Sequence, residues 1–105
     1  MKITCISDTH NKHKYIDLRA FKDTDILIHA GDFSNGNKNQ TESFLEWFNS
    51  IDVKHKILVA GNHDFYCTSL LFMEILAKYP SITYLYNSSV TINGLKIWGS
   101  PFSNI

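Results

Sequence analysis

The chain has 105 residues, 44% of them apolar and 19% charged, which suits one globular domain and excludes a disordered tail. Ten basic and ten acidic residues leave no net charge, so affinity built on phosphate-backbone attraction, and with it general nucleic-acid binding, is not expected. Met1-Lys2 runs straight into an apolar segment without a signal-peptide pattern, and no apolar stretch approaches the roughly 20 residues of a membrane span, so a cytoplasmic protein with no membrane association is expected.

In chain order, the first element is the run Lys2-Ile3-Thr4-Cys5-Ile6, closed by Ser7-Asp8-Thr9-His10-Asn11. Cys5 inside it reads as a small buried hydrophobe, and with only Cys67 besides there is no CxxC pattern and little basis for a disulfide framework. A second run, Asp25 to Ala30, ends at Gly31-Asp32, and a third, Lys56 to Ala60, ends at Gly61-Asn62-His63-Asp64. Short apolar runs bounded by glycine and polar residues suit strands buried on both faces, as in a parallel sheet.

Residues 34–40 read as a mobile polar loop. After it, Phe44, Leu45, Trp47, Phe48 and Ile51 share one face of a helix over 41–51, with Thr41 or a Ser43/Glu46 capping box at its start. Leu70, Leu71, Phe72, Met73, Ile75, Leu76 and Tyr79 predict a well-buried second helix stopped by Pro80. The stretch 82–86 is β-prone, and Asn93-Gly94 between Val90-Thr91-Ile92 and Leu95-Lys96-Ile97-Trp98 predicts a β-hairpin. Alternation of strand and helix marks an α/β domain.

The chemistry gathers at the strand ends: Asp8 and His10, then Asp32, then Asn62, His63 and Asp64. In open parallel sheets, ligand sites form beyond the carboxyl ends of the strands. Carboxylate, imidazole and amide donors together suit a divalent first-row cation. Asp-x-His or Gly-Asp taken singly reads equally well as turn chemistry; the three motifs at successive strand ends do not. Of the other histidines, His13 and His55 are expected to be solvated or near strand starts. His29 is expected to be a satisfied core imidazole or one supporting a ligand from behind. Trp47 and Trp98 lack interleaved Lys or Arg and read as core and interface.

Asp8-Thr9-His10, Gly31-Asp32 and Gly61-Asn62-His63-Asp64 resemble the first three motifs of the calcineurin-like metallophosphoesterases. Ser7-Asp8-Thr9-His10, Ile28 to Phe33, Val59 to Asp64 and Trp98-Gly99-Ser100-Pro101 are similar to the branch of small metallophosphoesterase-domain proteins related to cyclic-nucleotide phosphodiesterases. The resemblance implies the N-terminal half of the metallophosphoesterase α/β sandwich, a mostly parallel sheet with flanking helices and a C-terminal hairpin, as one partial domain over 1–105. It implies that Asp8 and His10 hold one metal, Asp32 bridges two, and Asn62 ligates the second. His63 then stands near the leaving-group oxygen as proton donor or charge stabiliser, oriented by Asp64. The metal would be Mn, Fe, Zn, Ni or Mg, activating water for attack on a phosphodiester or small phosphate ester.

The family's later motifs, a further His and a Gly-His-x-His, have no counterpart here, so an incomplete dimetal site is implied. The alternative function is a weak or inactive relative serving as a metal-binding or assembly module. Val90, Ile92, Leu95, Ile97 and Trp98 are expected to leave an apolar sheet face to be covered by a homo-oligomer, a partner chain or a rearranged tail.

Overall fold

The computed structural model describes residues 1–101; the last four residues of the expected domain lie outside the described residues. Four parallel strands, β1 (Ile3–Ile6), β2 (Ile26–His29), β3 (His55–Leu58) and β4 (Ile82–Tyr84), form one sheet in the order β1-β2-β3-β4. Because the strands are parallel, the loops after β1, β2 and β3 leave from one rim, and the three chemical motifs meet there. The fold is α/β, with helices α1 (Lys38–Ser50) and α2 (Leu70–Leu76) and a C-terminal hairpin of β5 (Ser88–Ile92) and β6 (Leu95–Gly99). No helix among the described residues is long and apolar enough to cross a membrane.

Strand side chains alternate between two layers, as the period of two requires. Leu27, Leu58 and Ile82 point to the helices and pack with Phe33, Phe44, Leu45, Phe48, Phe72 and Ile75. Ile26 and Ile57 point the other way, against Leu85 and Ile92, with Ile28, Val59, Val90 and Ile97 around them. The hairpin therefore lies over that second face itself. Its turn has Asn93 and Gly94 at φ 50° and 82°, the left-handed pair that an Asn-Gly hairpin turn needs. Leu95 and Trp98 stay exposed.

Four expectations change. The polar stretch before α1 is shorter than expected, because Asn37 caps the helix by accepting a hydrogen bond from the Gln40 N–H at 2.9 Å. Thr41 lies one turn inside, buried, with its hydroxyl donating to the Asn37 carbonyl. Helix α2 is only seven residues long and buries Phe72, Ile75 and Leu76, while Leu70, Leu71 and Met73 face out; one side suffices to cover the sheet there. Cys5 is exposed because β1 is an edge strand. His13 is fully buried rather than solvated, packed edge-on to Phe44 and beside Trp47, with its Nε2 3.3 Å from the Ser43 hydroxyl. Lys56 is buried too: its ammonium donates to the Asn49 and Ile51 carbonyls at 2.6 and 3.0 Å, closing the C-terminal end of α1.

Candidate metal centre

Beyond the strands, the first two loops stay zipped together. The N–H groups of Asp8, His10 and Asn11 donate to the carbonyls of Gly31, Asp32 and Phe33 at 2.9, 3.0 and 2.9 Å. This pairing holds Asp8, His10 and Asp32 in the left-handed region, at φ 57°, 40° and 60°. Asp and His tolerate that region better than most residues, yet each still costs on the order of 1 kcal/mol. The strained turns aim three side chains at one spot: one ligand atom from each of Asp8, His10 and Asp32 lies within 4.8 Å of the others.

Asn62 and His63 arrive from the third loop. The His63 N–H donates to Asp32 Oδ1 at 2.9 Å, and its ring stands edge-on to His10 with centroids 5.2 Å apart. The Asn62 amide faces both Asp32 oxygens. Turned with its NH₂ inward it donates to them at 3.1 and 3.2 Å. Turned with its carbonyl inward, it sets three acceptor oxygens against one another, an arrangement that a cation satisfies.

Asp64 sits beneath, fully buried. Its Oδ2 accepts from the N–H groups of Asp32 and Gly61 at 2.7 and 2.8 Å; its Oδ1 accepts from the Ser34 N–H and hydroxyl at 2.9 and 2.8 Å. Burial pushes its carboxyl above the usual carboxylate range, against the pull of those donors from Gly61, Ser34 and Asp32. One carboxylate thus ties the second loop to the third.

Two residues of this centre were not singled out from sequence. Ser34 pairs with Asp64 across thirty residues, and Asn35 sits 3.2 Å from His10 Nδ1; both fall in the stretch read as a mobile loop. The only local signal was Asn37 followed three residues later by Gln40, whose side-chain oxygen accepts the Asn35 N–H at 2.7 Å.

His29 supports the centre from the core. Its Nδ1 accepts from the Gly31 N–H at 3.1 Å, so Nε2 carries the proton and faces the Thr9 hydroxyl at 3.0 Å. Burial holds its pKa down to about 3, partly opposed by the Asp8 charge and assisted by His13 and His10. The unfolded imidazole titrates near 6.5, so above that pH neither state carries the proton and the folded state keeps its full stability. Between pH 6.5 and about 3 only the unfolded chain is protonated, and stability falls as pH drops, by up to ~1.4 kcal/mol per pH unit from this group. Urea unfolding at pH 7, 5.5 and 4.5 checks this: His29→Gln should show a shallower decline, and equal slopes would refute it.

Carboxylate oxygen, imidazole nitrogen and amide oxygen, with no thiolate, form a donor set suited to a divalent first-row cation. Any two ligands of one such ion at about 2.0–2.2 Å lie no more than about 4.4 Å apart, so a bound cation would draw the Asp8–His10–Asp32 cluster, now within 4.8 Å, closer together. A hollow of about 500 Å³ is lined by Cys67, Leu70, Met73, Tyr84, Tyr86 and Ser88. None of Asp8, His10, Asp32, Asn62 and His63 lines it.

This fold and site define an α/β domain with a candidate metal-binding rim. Residues 1–102 match the family model for calcineurin-like phosphoesterase, and the chain belongs to that family. It is 30% identical to the human and mouse "Metallophosphoesterase domain-containing protein 1", with 96% of this chain and 37% of theirs aligned. It is 35% identical to "UPF0046 protein C25E10.12" of Caenorhabditis elegans, over 100% of this chain and 42% of that protein. The chain thus spans about two-fifths of the length of these relatives. A solved crystal structure shares the fold with a TM-score of 0.73 at 16% identity, covering 93% of this chain and 51% of the other.

Proposed function

We propose that this chain carries the metal-holding part of a divalent-metal-dependent phosphoesterase acting on a phosphodiester or small phosphate ester. The observation that carries this reading is the convergence of Asp8, His10 and Asp32 within 4.8 Å at the rim of the parallel sheet, with Asn62 facing Asp32. Asp8 and His10 would hold one cation, Asp32 would be shared, and Asn62 would serve a second. When bound, such cations activate water and neutralise the phosphate oxygens.

The remaining work falls to the chain's own groups. His63, exposed beside His10, is placed to give a proton or hydrogen bond to a departing ester oxygen. Asp64 keeps the third loop against the second, so that His63 and Asp32 stay in register. Cys67 takes no nucleophilic part in this scheme: burial pushes its thiol well above the ordinary range and keeps it protonated.

A second reading, a metal-binding module with little turnover, is favoured by the donor count. Among the described residues a single cluster of three His or carboxylate ligands forms. Hydrolysis of bis(p-nitrophenyl) phosphate with added Mn²⁺ separates the two. The phosphoesterase reading expects turnover that chelator abolishes and that Asp32→Asn lowers by more than the ~10–100-fold typical of groups merely supporting a ligand. Tight Mn²⁺ binding without turnover selects the module. Turnover that survives chelator overturns both.

A further inference from the structure

His10 has two ring nitrogens with different neighbours. Its Nε2 lies 3.8 Å from Asp8 Oδ1, on the side of the carboxylate cluster. Its Nδ1 lies 3.2 Å from the side-chain oxygen of Asn35. An amide oxygen only accepts, so this contact requires the proton on Nδ1 and leaves the Nε2 lone pair on the Asp8 side. A neutral imidazole ligates a cation through its unprotonated nitrogen alone.

Asn35 is itself held at several points. Its N–H donates to the Gln40 side chain in the first turn of α1 at 2.7 Å. Ser34 before it is fastened to the buried Asp64 by two hydrogen bonds, and the Gly36 N–H after it donates to the Ser34 hydroxyl at 3.3 Å. The amide is thus delivered to His10 from a short arm anchored to the core on one side and to a capped helix on the other.

We propose that Asn35 is a positioning residue that fixes the Nδ1–H tautomer and ring orientation of His10, so that Nε2 is presented ready for a divalent cation. The inference rests on the metal reading above for its purpose, and on the geometry at His10 for its content. Groups that orient a metal-binding histidine through its other nitrogen are typically worth ~10–100-fold in metal affinity.

The test reads the tautomer directly, in metal-free protein, from the ¹⁵N shifts of the neutral His10 imidazole. The wild-type chain should show His10 protonated at Nδ1. Asn35→Ala should move it toward Nε2–H, and Asn35→Asp, which keeps an acceptor at the same place, should restore Nδ1–H. Titration with Mn²⁺ alone should then show roughly 10-fold weaker binding for Asn35→Ala and recovery in Asn35→Asp. An Nε2–H tautomer in the wild-type chain overturns the proposal without any variant having to fold. So does unchanged Mn²⁺ affinity in a folded Asn35→Ala. Failure of the wild-type chain to bind Mn²⁺ while His10 is protonated at Nδ1 instead overturns the metal reading, and with it the purpose assigned to Asn35.

Discussion

Asp64→Asn is expected to destabilise the fold by about 2–4 kcal/mol, because each buried donor left without an acceptor costs about 1–3 kcal/mol. The carboxylate accepts four hydrogen bonds at 2.7–2.9 Å in a site closed to water. An asparagine keeps one oxygen and turns an NH₂ group toward donors that the other oxygen served. A domain of this size has about 5–15 kcal/mol in all, and each kcal/mol moves the midpoint by about 4–8 °C, so the thermal midpoint should fall by roughly 8–32 °C. Ser34→Ala removes only the hydroxyl bond and should cost far less, about 1 kcal/mol. Similar midpoints for Asp64→Asn and Ser34→Ala would show that Asp64 does not clamp the two loops.

The second large effect is expected at Gly61. A Cβ there would overlap the Asp32 carboxylate and reach within 2.5 Å of the Asp32 backbone nitrogen. Gly31, at φ 111°, lies opposite, where a Cβ would meet the Gly61 nitrogen and Cα at 2.7 and 2.8 Å. The two loops therefore approach backbone to backbone, and that closeness is what sets Asp32 between Asn62 and His10. Gly61→Ala must push Asp32 away, so it should abolish Mn²⁺ binding and lower stability by the ~1–3 kcal/mol of an overpacked site. Gly94→Ala is the control: it has open space around it, so only its left-handed φ of 82° is at stake, about 1 kcal/mol, and metal binding should not change. Calorimetric Mn²⁺ titration of both variants decides; retained affinity in Gly61→Ala would refute the close-approach argument.

The strand-end motifs were legible in sequence because a parallel sheet sends all its carboxyl ends to one rim. The runs 2–6, 25–30 and 56–60 needed only apolar content and polar or glycine boundaries to be found, and the strands at 3–6, 26–29 and 55–58 fall on them. The Asn93-Gly94 hairpin was legible for the same local reason: two adjacent residues that accept positive φ. Resemblance to a known family then supplied roles that spacing alone does not.

What tertiary structure decided is what depends on partners far along the chain. His13 and Ser43, or Ser34 and Asp64, lie thirty residues apart, and no window of sequence displays that pairing. Polar residues around 34–37 carry the composition of a mobile loop, but a buried carboxylate and a helix cap fasten them, and only then does Asn35 meet His10. Apolar content overstated burial in α2 and at Cys5, since a short helix on one side of a sheet and an edge strand each have a face with nothing to pack on. Local chemistry determined which elements form and where the candidate ligands lie along the chain. Long-range hydrogen bonding and packing determined which polar groups are held in place to serve them.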